Sequence, residues 1–153
     1  MPKLDLDTIP QTNATGYPVP FDAAVAGRRY RRLAPSAGLT EMGVSHVTLA
    51  PGAWSSQRHW HATEDEFVVM LAGEAVLVED DAETMLRAGD IATFPKGVPN
   101  GHCLQNRSDA PCVFLAAGAG PRGDCGYPDI DLRLGEDGYL HKDGTPYGGV
   151  RLR

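Results

Sequence analysis

The sequence predicts an all-β protein, a sandwich or barrel, on three observations. Short apolar runs recur at about 8–12-residue spacing between Gly43 and Phe114, with strand-like alternation. The 18 glycines and 12 prolines are spread between those runs as turn residues and form no low-complexity tract. No stretch repeats its apolar positions at helical spacing. At 153 residues the chain suits a single domain with a core of its own.

Residues 1–42 are rich in Pro, Gly and Arg and only weakly periodic. They read as an N-terminal arm with one edge strand, packing on the barrel or on a partner. The basic run "RRYRR", Arg28 to Arg32, is an exposed strand or turn in the plainest reading. An anion-binding or dimer-contact role is the alternative. Residues 43–117 form the barrel. In "VSHVTL", Val44, His46 and Thr48 fall on one side of a strand, and Ser45, Val47 and Leu49 on the other. "EFVVMLAGEAVLVEDDAETML" holds further strands, with turns at Gly73 and at Asp80–Asp81. "AGDIATFPKG" and "CVFLAAG" each add one more. Residues 118–153 form a C-terminal tail with little periodicity. Its Tyr127, Ile130, Leu132, Tyr139 and Tyr147 are worth burying, so the tail is expected to pack on the barrel.

Composition excludes several classes. A net charge of −6 argues against nucleic acid as a partner, and no helix-turn-helix segment is present. No run approaches the ~18 apolar residues that span a bilayer, so no membrane partner is expected. The opening "MPKLDLDTIPQT" lacks the basic start and apolar stretch of a signal peptide. Cys103, Cys112 and Cys125 contain no CxxC pair. The expectation is a cytoplasmic protein with reduced thiols.

The chemistry gathers in "SSQRHWHATEDEF", Ser55 to Phe67. His59 and His61 are two apart, so on a strand both imidazoles point to one face and can share an ion. Glu66 follows after a short polar connection; facing inward, it would bring Val68 and Met70 in with it. Glu64 is its rival as a ligand. Downstream, "PKGVPNGHCLQN" carries His102 into an otherwise apolar region. Three imidazoles and a carboxylate suit one divalent transition metal, with Zn, Mn, Fe and Ni all compatible. The plain alternative is a solvated histidine pair beside a charged turn.

Gly52, His59, His61, Glu66 and Gly73 resemble the first motif of the cupin family, and Gly89, Pro95, Gly97, His102 and Asn106 resemble the second. Residues 74–88 separate the two. Two connections are longer than the family pattern, that from Gly52 to His59 and that from Gly97 to His102. The resemblance implies a double-stranded β-helix, or jelly-roll, barrel whose interior holds the metal on His59, His61, Glu66 and His102. With its tail, the chain is similar to a bacterial group of small single-domain cupins called uncharacterised or sugar-phosphate isomerase-like, a label that rests on fold analogy.

Around the ligands, Asn100 and Asn106 are candidates to support the site or a turn. Trp60 should point out of the barrel, and Cys103 away from His102. His46 is expected to be a packed histidine, and His141 to face solvent. An enzyme doing isomerase-like or lyase chemistry on a small polar substrate is the leading function. Glu64 and Tyr127 are the candidate general bases, with solvent at the metal as the alternative. An Fe(II) or Ni(II) dioxygenase and a non-catalytic metal- or metabolite-binding module are the runners-up. A homodimer paired through sheet edges is expected, with "RRYRR" and Trp60 available for the contact.

Overall fold

The computed structural model describes residues 3–121, 123–136 and 138–148; the last part of the expected tail, 149–153, lies outside them. Among the described residues the strands are β1 (Arg28–Arg32), β2 (Met42–Leu49), β3 (Trp60–His61), β4 (Asp65–Ala72), β5 (Glu74–Val78), β6 (Glu83–Arg87), β7 (Ile91–Phe94), β8 (Cys103–Gln105), β9 (Cys112–Ala119), β10 (Cys125–Gly126), β11 (Arg133–Gly135) and β12 (Gly138–Leu140). They form three antiparallel sheets, ordered β1-β2-β9-β4-β7, β12-β11-β10-β3 and β6-β5-β8. This is the jelly-roll barrel that the sequence predicts.

The strand period of two decides which residues enter the barrel. Along β4, Val68 and Met70 are buried while Phe67 and Leu71 are exposed, so Glu66 shares the inward face. Along β2, Val47 and Leu49 turn inward, and on β9 Cys112 and Phe114 do. These meet Ala75, Leu77 and Leu104 from the three-stranded sheet in one core. Fully burying a side chain such as Leu49 or Met70 contributes about 1.5–3 kcal/mol, and that gain sets the register of each strand.

A second core joins the two ends of the chain. Tyr17 and Val25 from the arm pack with Cys125, Tyr127 and Leu132 from the tail, flanked by the half-buried Ile130, Tyr139 and Tyr147. The aromatic tail residues are therefore covered, as their apolar area requires. The basic run forms β1, the edge strand beside β2, with Arg29 opposite Thr48 and Arg31 opposite His46. One expectation needs correction: the chain has a little helix. Leu33–Ser36 makes one helical turn after β1, and 3-10 turns lie at Leu6–Thr8 and Ala23–Val25. Each is too short to show a period in sequence.

Gly73 closes the β4–β5 turn at φ +70°, in the left-handed region. A Cβ there would lie 2.9 Å from the Pro111 carbonyl oxygen and 3.0 Å from the Cys112 Cα, both backbone atoms that cannot swing aside. We expect Gly73→Ala to cost about 2–3 kcal/mol and to lower Tm by roughly 5–10 °C. Thermal unfolding followed by circular dichroism checks this, and an unchanged Tm would show that the turn relaxes freely.

Candidate metal centre

The two motifs meet at a backbone bridge. The His59 N–H donates to the His102 carbonyl at 3.1 Å, and the His102 N–H donates to the His59 carbonyl at 2.8 Å. A second bridge pairs Trp54 with Gln105. Between these two bridges one segment advances five residues and the other three. The extra residues are bulged out, which accommodates the long connection from Gly52 to His59. The long connection after Gly97 is anchored in turn, because the Gly97 N–H donates to the His61 carbonyl at 2.8 Å. His102 is thereby fixed, five residues past Gly97, where the turn ends.

On this frame the four side chains converge. His59 Nε2 lies 3.1 Å from His61 Nε2, and His102 Nε2 lies 2.8 Å from Glu66 Oε2. His61 Nε2 is 3.4 Å from the same carboxylate oxygen, and one candidate ligand atom from each residue falls within 4.8 Å of all the others. Ligands held at ~2.1 Å from one ion stand about 3–4 Å apart, so the set fits a single divalent ion. His59 Nδ1 donates to the Gln57 carbonyl at 2.9 Å, which leaves the Nε2 lone pair aimed at the cluster. Burial holds that imidazole neutral, its pKa lowered to about 4. Burial also works against the Glu66 charge, but the hydrogen bonds from His102 and His61 outweigh it and keep the carboxyl well below the usual carboxylate range. A neutral imidazole beside an ionised carboxylate is the donor set that a divalent cation requires. His102 is buried, and its ring stacks on Phe94 with centroids 3.6 Å apart.

Glu64 lies outside the cluster and takes a different place. It lines the cavity that opens beside the four side chains, a space of about 420 Å³. A Cβ at Gly118 would fall 2.1 Å from Glu64 Oε1, so the bare backbone of β9 is what lets this carboxylate lie against the wall. Tyr127 lines the same space and stacks on His59, with centroids 5.7 Å apart. Burial raises the pKa of its hydroxyl well above the ordinary phenol value, so it stays protonated.

The remaining expectations sort by geometry. Trp60 does point away from the cluster, and its indole lies where a Cβ on Gly126 would have to go. Cys103 is buried and contributes nothing to the cavity wall. His46 is half-buried on the outer side of β2, away from the cavity that Ser45 and Val47 line. Asn106 braces a turn, its amide donating to the carbonyls of Leu49 at 3.0 Å and Ala110 at 2.8 Å. Asn100 likewise serves the Asp80 turn, accepting from the Asp80 N–H at 3.0 Å. His141 lies at the surface, its side chain 35% exposed, where it stacks on Tyr147 with centroids 3.7 Å apart and contacts Asp131 at 2.7 Å. The sequence did not mark Cys125. Its register opposite His61 places Sγ 3.3 Å from His61 Nδ1, the far side of that candidate ligand. Arg28, Tyr30 and Arg32, the alternate residues of the basic run, also face the cavity.

Residues 45–118 match the family described as the cupin domain. No curated protein matches the chain. Among solved structures, a sugar phosphate isomerase from a cupin superfamily of Silicibacter pomeroyi is 42% identical, covers 98% of this chain and 99% of its own, and superposes with a TM-score of 0.89. A Cupin 2 conserved barrel domain protein of Salinispora arenicola is 25% identical over 78% of this chain and 87% of its own, with a TM-score of 0.56.

One ion-pair group holds the frame from outside. Arg58, next to His59, donates to Asp129 through Nε at 2.8 Å, to the Gly101 carbonyl at 3.2 Å, and to Asp80. It ties the first motif to the loop before His102 and to the tail. The Arg58 guanidinium holds the Asp129 carboxyl below the usual range. A depressed folded pKa gives stability that is complete above the ordinary carboxylate pKa of about 3.9, and that is lost as pH falls through the folded value. Asp129 is half-exposed, so solvent screening keeps the effect modest. We therefore expect Asp129→Asn to lower stability at neutral pH and to flatten the loss of stability below about pH 4. Chemical denaturation at a series of pH values measures this; parallel curves for both proteins would rule the contribution out.

Proposed function

This chain belongs to the cupin family, and on that premise we propose that it is a metal-dependent enzyme with isomerase-like chemistry on a small polyoxygenated substrate. The observation that carries this is the convergence of His59, His61, Glu66 and His102 at the wall of an open cavity that also holds a carboxylate outside the cluster. A divalent ion held by those four residues would polarise a substrate carbonyl and orient its hydroxyls. Glu64, placed against Gly118 on the same cavity, is positioned to take a proton from bound substrate and return it at a neighbouring carbon. Tyr127, kept protonated by burial, can donate a hydrogen bond to a substrate oxygen. The relative from Silicibacter pomeroyi, called a sugar phosphate isomerase, supports the same reaction class across nearly the whole chain.

Two outcomes test the proposal. Purified and reconstituted protein should hold about one transition-metal ion per chain, and His59→Ala and His102→Ala should each lose it, measured by elemental analysis. No bound metal in the unaltered protein, even after reconstitution, removes the enzyme reading. Bound iron with substrate-dependent oxygen uptake moves the assignment to a dioxygenase; Zn or Mn without uptake keeps it with the isomerases. Glu64→Gln should retain the metal but lower turnover on a panel of sugar phosphates by about 10²-fold or more. Equal turnover would remove Glu64 from the chemistry.

A further inference from the structure

We propose that Arg28 binds the anionic group, a phosphate or a carboxylate, of the small molecule that occupies the cavity. The inference rests on the proposed function only in placing a substrate there.

The geometry begins with β1. Its strand alternation sends Arg28, Tyr30 and Arg32 into the cavity and Arg29 and Arg31 away from it. Among the described residues, Arg58, Arg87, Arg107 and Arg133 each have a carboxylate within ion-pair distance; none of the four arginines of β1 does, and of these Arg28 and Arg32 are the two on the cavity. The cavity's own carboxylates do not meet these two arginines among the described residues: Glu66 is engaged by His61 and His102, and Glu64 lies against Gly118. The Arg28 side chain is also held in place. Its Nη1 donates to the Ser55 carbonyl at 2.6 Å, and its guanidinium carbon sits 5.3 Å from the Tyr30 ring centroid.

What remains of that guanidinium is unmatched. Nε is buried with no hydrogen-bond partner, and Nη2 makes no hydrogen bond among the described residues. Nε and Nη2 form the edge with which arginine grips a carboxylate or phosphate in two parallel bonds. A buried donor on a charged group without a partner is costly, and an incoming oxyanion removes that cost. The phenols of Tyr17 and Tyr139 lie near enough to feel the Arg28 charge, and both line the same cavity. With His59, His61 and His102 on the same cavity, the space of about 420 Å³ offers a cationic clamp and a separate place for oxygen ligands. That combination selects a small molecule with one anionic group and several neutral oxygens.

The test uses inorganic phosphate and acetate as probes, titrated by calorimetry into the full chain after exhaustive treatment with a chelator. Saturable binding is expected to the metal-free protein, and the stronger of the two probes identifies the anion. Arg28→Gln should weaken that binding at least about tenfold, with Arg28→Lys intermediate. His59→Ala should leave it within a factor of about two, which separates this clamp from the metal cluster. Wild-type affinity in Arg28→Gln, or no saturable binding of either probe to the unaltered protein, overturns the proposal. Should Arg28→Gln fail to fold, arginine modification of the unaltered protein by phenylglyoxal decides. Protection of Arg28 by the bound probe supports the clamp, and equal modification with and without it refutes the clamp. Anion binding that depends on Arg28 in a protein that never takes up metal would sink the enzyme proposal and leave this one standing.

Discussion

The two backbone hydrogen bonds between His59 and His102 set the position of everything else in the cavity. They join segments more than forty residues apart and make the two motifs one ribbon. Because the pair is reciprocal, neither histidine can slide along the other without leaving buried backbone groups unpaired. His61 then follows from strand parity, two residues along the same ribbon. Only Glu66 comes from the five-stranded sheet, and it reaches the imidazoles because the burial of Val68 and Met70 fixes which face of β4 turns inward. A one-residue slip of β4 would carry the carboxylate to the outer surface and expose those two core side chains. Core packing and site assembly are therefore one constraint.

How much of this was legible in the sequence depends on whether local pattern or tertiary contact decided it. Residues ruled by period and turn chemistry were readable. The inward face of β4 and the Gly73 turn follow from period and turn chemistry, and the resemblance of the two motifs to the cupin pattern picks out the four converging side chains. Positions ruled by what lies across the sheet were not. Cys125 sits in a segment with no apolar period, and only the pairing of β10 with β3 brings its sulfur to His61. The surface partners of His141, Asp131 and Tyr147, are likewise announced by nothing near it in sequence. Nothing in the sequence sets Gly118 and Gly126 apart, yet each is the gap into which a neighbour's side chain fits: Glu64 in one case, Trp60 in the other.

The arm and the tail show the same division. Neither has a period, and the tail's aromatics implied burial, with the barrel as the expected surface. The structure answers by packing them on each other, with Tyr17 near Tyr127 at 5.9 Å and near Tyr139 at 5.3 Å between centroids. That second core has a consequence for the cavity. It brings three phenols, one from the arm and two from the tail, to the wall next to His59, so the polar lining is assembled from parts remote in sequence. The motifs supply the candidate metal ligands, while the non-periodic ends supply much of what a substrate would meet.

The basic run joins these themes. Taken as five consecutive cations, "RRYRR" suggests a surface patch. Taken as a strand, it becomes two different surfaces, because alternate residues face opposite ways. Arg29 and Arg31 lie on the outer side, where Arg31 Nε donates to the Ile9 carbonyl at 3.0 Å and ties down the arm. Arg28 and Arg32 lie on the inner side, across Tyr30, and bring positive charge to a cavity where Glu66 is already engaged by His61 and His102 and Glu64 lies against Gly118. An edge strand can supply such a wall without weakening the core, since its outer edge is bridged by the arm, where Tyr30 and Thr12 exchange backbone hydrogen bonds. The fold can thus hold the candidate ligands on the bridged segments of its two motifs and vary the substrate-facing chemistry on β1, and that separation is why a likeness in the two motifs identifies the family long before it identifies a substrate.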